Sequence, residues 1–501
     1  MATSPPPARL NVRLIGWRIA ALVLVLLLLP LPTLAQEATP TADLGTEQGM
    51  QDLAAAQRRV TAEDVGLPPG FTLELVATGL DSPIGLAVAP DGTLYAAPSG
   101  LLGGRPEIVR VNADGTSTVV ATDGLRPPIT DIEFGPDGAL YVSHATEIAR
   151  VDLASGTVAP LITGLPALGN HPNTQLAFGP DGWVYFGLGL TSNAGVVGLD
   201  NTWLEQRPEL FDVPCRDVVI AAPPYVSPDP FTDDPDDFTA TSPYQPFGQV
   251  IPIGTRIAGE TKCNGAVFRF QVANPEGTLE AFVWGFLSAF GVAVDETGAV
   301  WVIDDGPDAK GSRLAVPYAP ETLWRFVEAD AGTWTGLPDY VAGIPVTDQR
   351  YATPGELRPQ EFIFANHHEL LNQPATPRPA ATWRPHTGSG HIVIAPDEWG
   401  AWAGNLIIGH FGTLYAPGEP AAGTGPPPSG TLDMVMPATG QIMPLLRNPT
   451  AGPAGGAPEH PIGLAFAPDG ALYVADVGVI PYPNTGAIWR IVPPRGIAST
   501  P

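Results

Sequence analysis

From about Gly70 to about Pro494 the chain is written in short apolar runs bounded by Gly, Pro and Asp. The clearest unit is residues 170–185, with an apolar run, a Pro180-Asp181-Gly182 turn and a second run at Val184-Tyr185. Short β-rich runs punctuated by Asp-Gly predict two strands of a hairpin. The Asp-Gly pair predicts a two-residue turn in which both residues take positive φ. Pro90-Asp91-Gly92, Pro136-Asp137-Gly138 and Pro468-Asp469-Gly470 repeat the unit, each followed by Leu-Tyr. Asp295-Glu296-Thr297-Gly298 before Val300-Trp301 is a degenerate copy. Ala395-Pro396-Asp397 before residues 405–408 is a copy with a longer turn. A second motif, a short strand with arginine at its fourth place, falls between these hairpins and reaches Arg110, Arg150, Arg269, Arg325, Met434 (in place of arginine) and Arg490. Arginines placed so regularly are expected to bridge neighbouring strands rather than bind substrate.

The two motifs, counted separately, both occur six times. Repeats of about 40–50 residues with about four strands each predict propeller blades. The fold class expected is all-β, a six-bladed β-propeller over residues 70–496. A ring must hide its two edges, so residues 71–80 are expected to pair with the last repeat. The third and fourth repeats are long. The excess falls in two insertions, about 190–261 and about 328–384, which are expected to lie on one face and cover the central channel. The chain has two cysteines, Cys215 and Cys263, at the first insertion. In an exported chain they suggest a disulfide closing that loop, with two buried free thiols as the alternative.

Arg9, Arg13 and Arg18 precede an apolar run over residues 19–29, and Thr33-Leu34-Ala35 follows. Residues 1–35 therefore read as a signal peptide, and residues 36–69 as a flexible tether. A secreted, periplasmic or cell-surface location is expected, with an uncleaved N-terminal anchor as the other reading. The net charge is −27, with no basic stripe, which argues against nucleic-acid binding and an anionic membrane surface.

In a propeller the innermost strands begin at one mouth of the channel. The positions nine to eleven residues before each turn aspartate hold Asp81, Pro127, His171, Phe286, His386 and His460. His410, at the end of the strand after the fifth turn, is a weaker candidate for the same space. A histidine there suits a general base for an alcohol or hemiacetal hydroxyl, because it titrates near working pH. Three histidines also suit a transition metal.

With those residues in view, the chain resembles the soluble quinoprotein glucose/sorbosone dehydrogenase family, six-bladed propellers that use pyrroloquinoline quinone (PQQ) and calcium. The likeness covers most of residues 70–494 as a blade pattern. It is sharpest at residues 170–189, similar to that family's His-x-x-x-(Arg/Gln)-Leu-x-Phe-Gly-Pro-Asp-Gly segment. The resemblance implies His171 as the base that takes the sugar hydroxyl proton while hydride passes to the quinone. It implies calcium on the Gly306 and Pro307 carbonyls, and places His410, His460 and His386 where the family or its ring binds cofactor. It implies a small-molecule sugar or alcohol substrate and an external electron acceptor. The pattern departs at Leu190, where the family keeps an acid. It departs again at Pro127, Leu287-Ser288, His410, His460 and Ile462, where the family has cofactor-binding residues. Two other readings follow from the same residues: a non-catalytic binding propeller, and a metal-dependent lactonase-like hydrolase using His171, His386 and His460.

Overall fold

The computed structural model describes residues 65–307, 316, 319–351, 360–371, 377–385, 387–412, 430–447, 458–480 and 483–494. The signal segment and most of the tether lie outside the described residues. Among the described residues, no helix is long and apolar enough to cross a membrane.

Six four-stranded antiparallel sheets form the blades of a propeller. From the innermost strand outward, blade 1 holds Pro83–Val88, Leu94–Pro98, Ile108–Val111 and Ser117–Ala121. Blade 2 holds Ile129–Phe134, Leu140–His144, Glu147–Asp152 and Thr157–Ile162. Blade 3 holds Asn173–Phe178, Val184–Leu188, Ala266–Phe270 and Glu280–Trp284. Blade 4 holds Ala289–Val294, Val300–Asp304, Glu321–Phe326 and Ala381–Trp383. Blade 5 holds Ser389–Ile394, Leu406–His410, Thr431–Val435 and Ile442–Leu446. Blade 6 takes Pro461–Phe466, Leu472–Asp476 and Gly486–Val492 from the end of the chain, and its outer strand, Thr72–Leu80, from the beginning. Thr72–Leu80 pairs with Gly486–Val492, so the ring closes by sharing a blade between the two ends, as expected.

The repeated turn differs from the expected one. Gly92 N donates to Ala89 O at 2.8 Å, and of Pro90, Asp91 and Gly92 only Gly92 has positive φ, at 85°. The loop is thus a type I turn ended by a left-handed glycine, not a two-residue turn with both residues at positive φ. Proline explains the difference, since its fixed φ of about −65° suits the second position of a type I turn. The aspartate then acts through its side chain. Asp91, Asp137 and Asp181 accept the backbone N–H two residues on, at 2.9, 3.1 and 3.1 Å. Asp137 and Asp181 also accept the hydroxyl of the tyrosine four residues on, Tyr141 and Tyr185, both at 3.0 Å. Arg150 and Arg490 reach the turn aspartates Asp137 and Asp469 of their own blades, which is the strand-bridging role expected.

The tyrosines that follow the turns fill the seams. Tyr95 of blade 1 meets Phe134 of blade 2 with centroids 5.7 Å apart, and Tyr141 of blade 2 meets Phe178 of blade 3 at 5.1 Å. Edge-to-face rings add to the burial that joins neighbouring sheets.

The first insertion leaves blade 3 at the mouth end, after Leu188, which pairs with Asn173. The second leaves blade 4 after Phe326, level with the far end of the inner strand. They therefore do not emerge on one face as expected, although they dock on each other. The first carries a hairpin of Tyr225–Pro228 with Phe238–Thr241, and its base is closed by a Cys215–Cys263 disulfide, as expected. Its Val218–Val219 strand pairs with Arg256–Ile257, and Ile220 bridges Phe364 of the second insertion. Asp339, fully buried, accepts the backbone N–H of Ile363 at 2.6 Å and of Phe364 at 2.8 Å. His367 Nε2 lies 2.8 Å from the same carboxylate, so Asp339 and His367 brace the part of the second insertion that meets the first.

Candidate active site

The innermost strands run side by side in one direction. Thr130 Oγ1 donates to Asn173 O and Thr174 Oγ1 donates to Ala289 O, both at 2.7 Å, linking blade 2 to 3 and 3 to 4 at one level. Their first residues therefore collect around one mouth of the channel, where Asp81, Pro127, His171, Phe286 and His460 precede their strands. His386 lies outside the described residues.

His171 sits at the seam of blades 3 and 4. Gly189 packs so closely that a Cβ there would fall 2.3 Å from His171 Cβ and 2.6 Å from Leu287 O. The preceding residue is clamped by the first insertion. Asn170 Oδ1 accepts Trp203 Nε1–H at 2.9 Å, and its Nδ2 donates to Asn193 Oδ1 at 3.2 Å. Asn193 in turn donates to Asp200 at 2.8 Å. Asp212 fastens the start of this wall by accepting Thr191 N at 2.6 Å and the Ser192 hydroxyl. Burial raises the Asp212 carboxyl to about 6, against the hydrogen bonds that favour its charge. Of the aromatics of the insertions, Trp203 thus stands beside the His171 segment, whereas Tyr244 is buried against Phe364 and Phe231 is exposed on the hairpin.

The other histidines are arranged differently. His460 N donates to Asp476 at 2.9 Å, and its ring stacks on Phe411 at 4.5 Å. Its Nδ1 lies 2.5 Å from Phe411 O, an acceptor, so Nδ1 is the nitrogen that donates. His410 is level with the mouth but one strand outward. It is fully buried against Trp383, with Nε2 3.2 Å from Asp433. Burial would raise Asp433, but His410 and Arg447 outweigh it and hold the carboxyl below its usual range.

Gly306 and Pro307 follow the second strand of blade 4 and line a cavity of about 20 Å³ with Asp304, Asp305 and Thr322. Gly306 is needed there, because a Cβ would meet Ala319 O at 2.6 Å and Pro320 O at 2.8 Å. Burial pushes Asp304 and Glu321 well above the carboxylate range, and the charge of Asp305 adds to both. This oxygen-rich cavity has the donor chemistry of a hard cation site. Among the described residues, no group of three or more His, Cys, Asp or Glu is placed to hold a metal ion.

A tricarboxylate quinone needs cations. Among the described residues directly before the six inner strands, the one cation is Arg126. Its guanidinium is bound to Glu147 at 2.5 Å and to Thr146 at 3.2 Å. The described residues of the mouth therefore do not fit PQQ, and no step is drawn through it.

A second polar level, which a reading centred on strand starts misses, lies inside the channel. The third residues of the six inner strands are Gly85, Asp131, Gln175, Gly291, His391 and Gly463. Every inner strand is irregular before or at this point, and the glycines let the neighbouring backbone approach, with Gly463 against Ile84 O. An innermost strand has an unpaired edge whose amides still need partners. Asp131 accepts Leu176 N at 2.8 Å. Gln175 accepts Val292 N at 3.0 Å and Ile392 N at 2.8 Å, and donates to Ile392 O at 2.9 Å. His391 Nε2 reaches Thr130 O at 3.0 Å, and burial pulls its pKa down to about 4. The signal was in the sequence: Asp131, Gln175 and His391 stand six residues before Asp137, Asp181 and Asp397, in otherwise apolar strands.

No family model and no curated protein matches the chain. Solved structures do. A carbohydrate-active enzyme of family AA12 from Trichoderma reesei is 15% identical, with a TM-score of 0.53 over 87% of this chain and 98% of that one. The holo pyranose dehydrogenase PQQ domain from Coprinopsis cinerea is 15% identical, with a TM-score of 0.52 over 85% and 96%. The apo soluble aldose sugar dehydrogenase from Escherichia coli is 13% identical, with a TM-score of 0.51 over 84% and 99%. At this identity the likeness speaks for fold alone: the chain shares the overall fold of these three structures.

Proposed function

We propose that this chain is an exported, glucose/sorbosone dehydrogenase-like propeller that oxidises a sugar or related alcohol at the channel mouth beside His171. The observation that carries the reading is the placement of His171. It starts the inner strand of blade 3 and is backed by Gly189, and an insertion wall fixes its neighbour Asn170 through Trp203 and Asn193. A base held this way can take a hydroxyl proton from a substrate in the mouth. Of the similar structures, one is a PQQ domain of a pyranose dehydrogenase and another an aldose sugar dehydrogenase, which supports a sugar as substrate and PQQ as the cofactor to test first. Calcium is proposed at the Gly306–Pro307 cavity. Export is supported by the Cys215–Cys263 disulfide, which suits an oxidising compartment.

The shortage of cations favours a second reading, a binding propeller that uses the same mouth for recognition alone. One experiment separates the two. The purified mature chain is titrated with PQQ and Ca²⁺ by absorbance, then assayed for dye reduction with a panel of aldoses. Saturable binding with sugar-dependent reduction, lost in His171→Ala, establishes the dehydrogenase. An absence of PQQ binding at tens of micromolar establishes that the mouth is not a PQQ site and leaves recognition as its role.

A further inference from the structure

The opposite end of the channel holds a second feature that the His171 mouth does not use. A cavity of about 300 Å³ opens among the later residues of the inner strands, lined by Gln175, Phe134, Phe178, Ile394, Phe466 and Glu133. That is the small end of the range for ligand pockets, about 300–1,000 Å³.

The fifth residues of the six inner strands are Ala87, Glu133, Ala177, Ala293, Val393 and Ala465. Of these, Ala177, Ala293, Val393 and Ala465 border the cavity and leave the space, and Glu133 brings one carboxylate to it. Among the described residues, no donor or cation reaches the Glu133 carboxyl, and no other charged residue lines the cavity. The walls are not only hydrocarbon. In an antiparallel edge strand, alternate residues turn both N–H and C=O outward. Ile392 shows which ones, since it gives both groups to Gln175. By the same alternation the sixth residues turn theirs to the channel at this end. A ligand would meet one carboxyl, a ring of backbone dipoles and short apolar stems.

We propose that this end of the channel is a binding site for a small organic ammonium ion, its charged head on Glu133 and its short alkyl part among the alanines. An ammonium group supplies three donors to a carboxylate and backbone carbonyls. The cavity is much larger than a single metal ion needs, and a lone carboxylate is a poor metal cage. The charge environment agrees. Burial raises Glu133 to about 8. Asp131, on the same strand, is itself pushed up by burial and by Glu133. His391 is the one titratable inner-strand residue of blade 5, and blades 1, 3, 4 and 6 present none. The empty carboxyl is thus protonated near neutral pH, and a cationic ligand would ionise it.

The test is calorimetric titration of the full folded chain with n-butylammonium at neutral pH, with n-butanol and butyrate as probes of the same size. Saturable binding of butylammonium is expected, weakened about tenfold or more in Glu133→Gln, because a charge-assisted hydrogen bond is lost. Binding should also release about one proton, seen as a heat that changes with the ionisation enthalpy of the buffer. Ala177→Leu keeps the carboxyl but fills the space, and should also abolish binding; thermal melts establish that both variants are folded. No saturable binding to the wild-type chain, equal affinity in Glu133→Gln, or butanol binding as tightly as butylammonium would each overturn the proposal.

Discussion

Gln175 of blade 3 reaches past blade 4 to Ile392 of blade 5, accepting its N–H at 2.8 Å and donating to its carbonyl at 2.9 Å. One side chain thus satisfies the inner edges of two other blades, since it also accepts Val292 N. Gln175→Leu would strand two buried amides and a carbonyl. The expected loss is about 2–4 kcal/mol of stability, read from urea denaturation. A loss under about 0.5 kcal/mol would mean that water replaces the glutamine.

His391 makes stability depend on pH. Its folded pKa is pulled down to about 4 by burial, against about 6.5 in the unfolded chain. A depressed folded pKa means that the unfolded chain binds the extra proton. The contribution is therefore present above about pH 6.5 and lost as pH falls towards about 4, a change of about 3 kcal/mol. His391→Gln does not titrate there. Its stability deficit relative to wild type should shrink between about pH 7.5 and about pH 4.5, and a constant deficit would contradict the buried neutral ring.

Trp203 connects the first insertion to the segment before His171. Trp203→Phe keeps the ring and removes the hydrogen bond to Asn170. If the mouth is catalytic, kcat should fall about tenfold with little change in melting temperature, because a bond that positions the base is lost while packing survives. Equal loss of stability and activity would assign Trp203 to the fold alone.

The Cys215–Cys263 disulfide spans 48 residues of the first insertion. Loop-closure entropy for that length predicts that reduction destabilises the insertion by about 4 kcal/mol. Limited proteolysis should then cut first in the hairpin carrying the exposed Phe231 and Phe238, with the blades still intact. Unchanged cleavage would show that docking on the second insertion, through the Ile220–Phe364 bridge and Asn366, which accepts Val219 N at 2.9 Å, suffices.

The blade count was legible because each blade solves the same local problem. Asp137 must cap its turn and hold Tyr141, and Asp181 must do so for Tyr185, so the residues recur at fixed spacing. The turn type was misread because the Asp-Gly pair was weighed without the proline before it. The mouth residues could be aligned by register, but their roles could not. His171, His410 and His460 look alike in the sequence, yet one stands beside an insertion wall, one is buried on Asp433 and one is stacked on Phe411.

By itself the sequence determined what depends on neighbours along the chain: strands, the positions of the turns, the six repeats, the shared last blade and the two insertions. These follow from side-chain alternation and turn chemistry, which act over a few residues. Only the tertiary structure decided what meets inside the ring. Asp131, Gln175 and His391 are separated by dozens to hundreds of residues, and they become partners because closure leaves six unpaired strand edges facing one another. The same closure leaves Glu133 among alanines. No local pattern announces those contacts, because the need they meet arises only when the ring is complete.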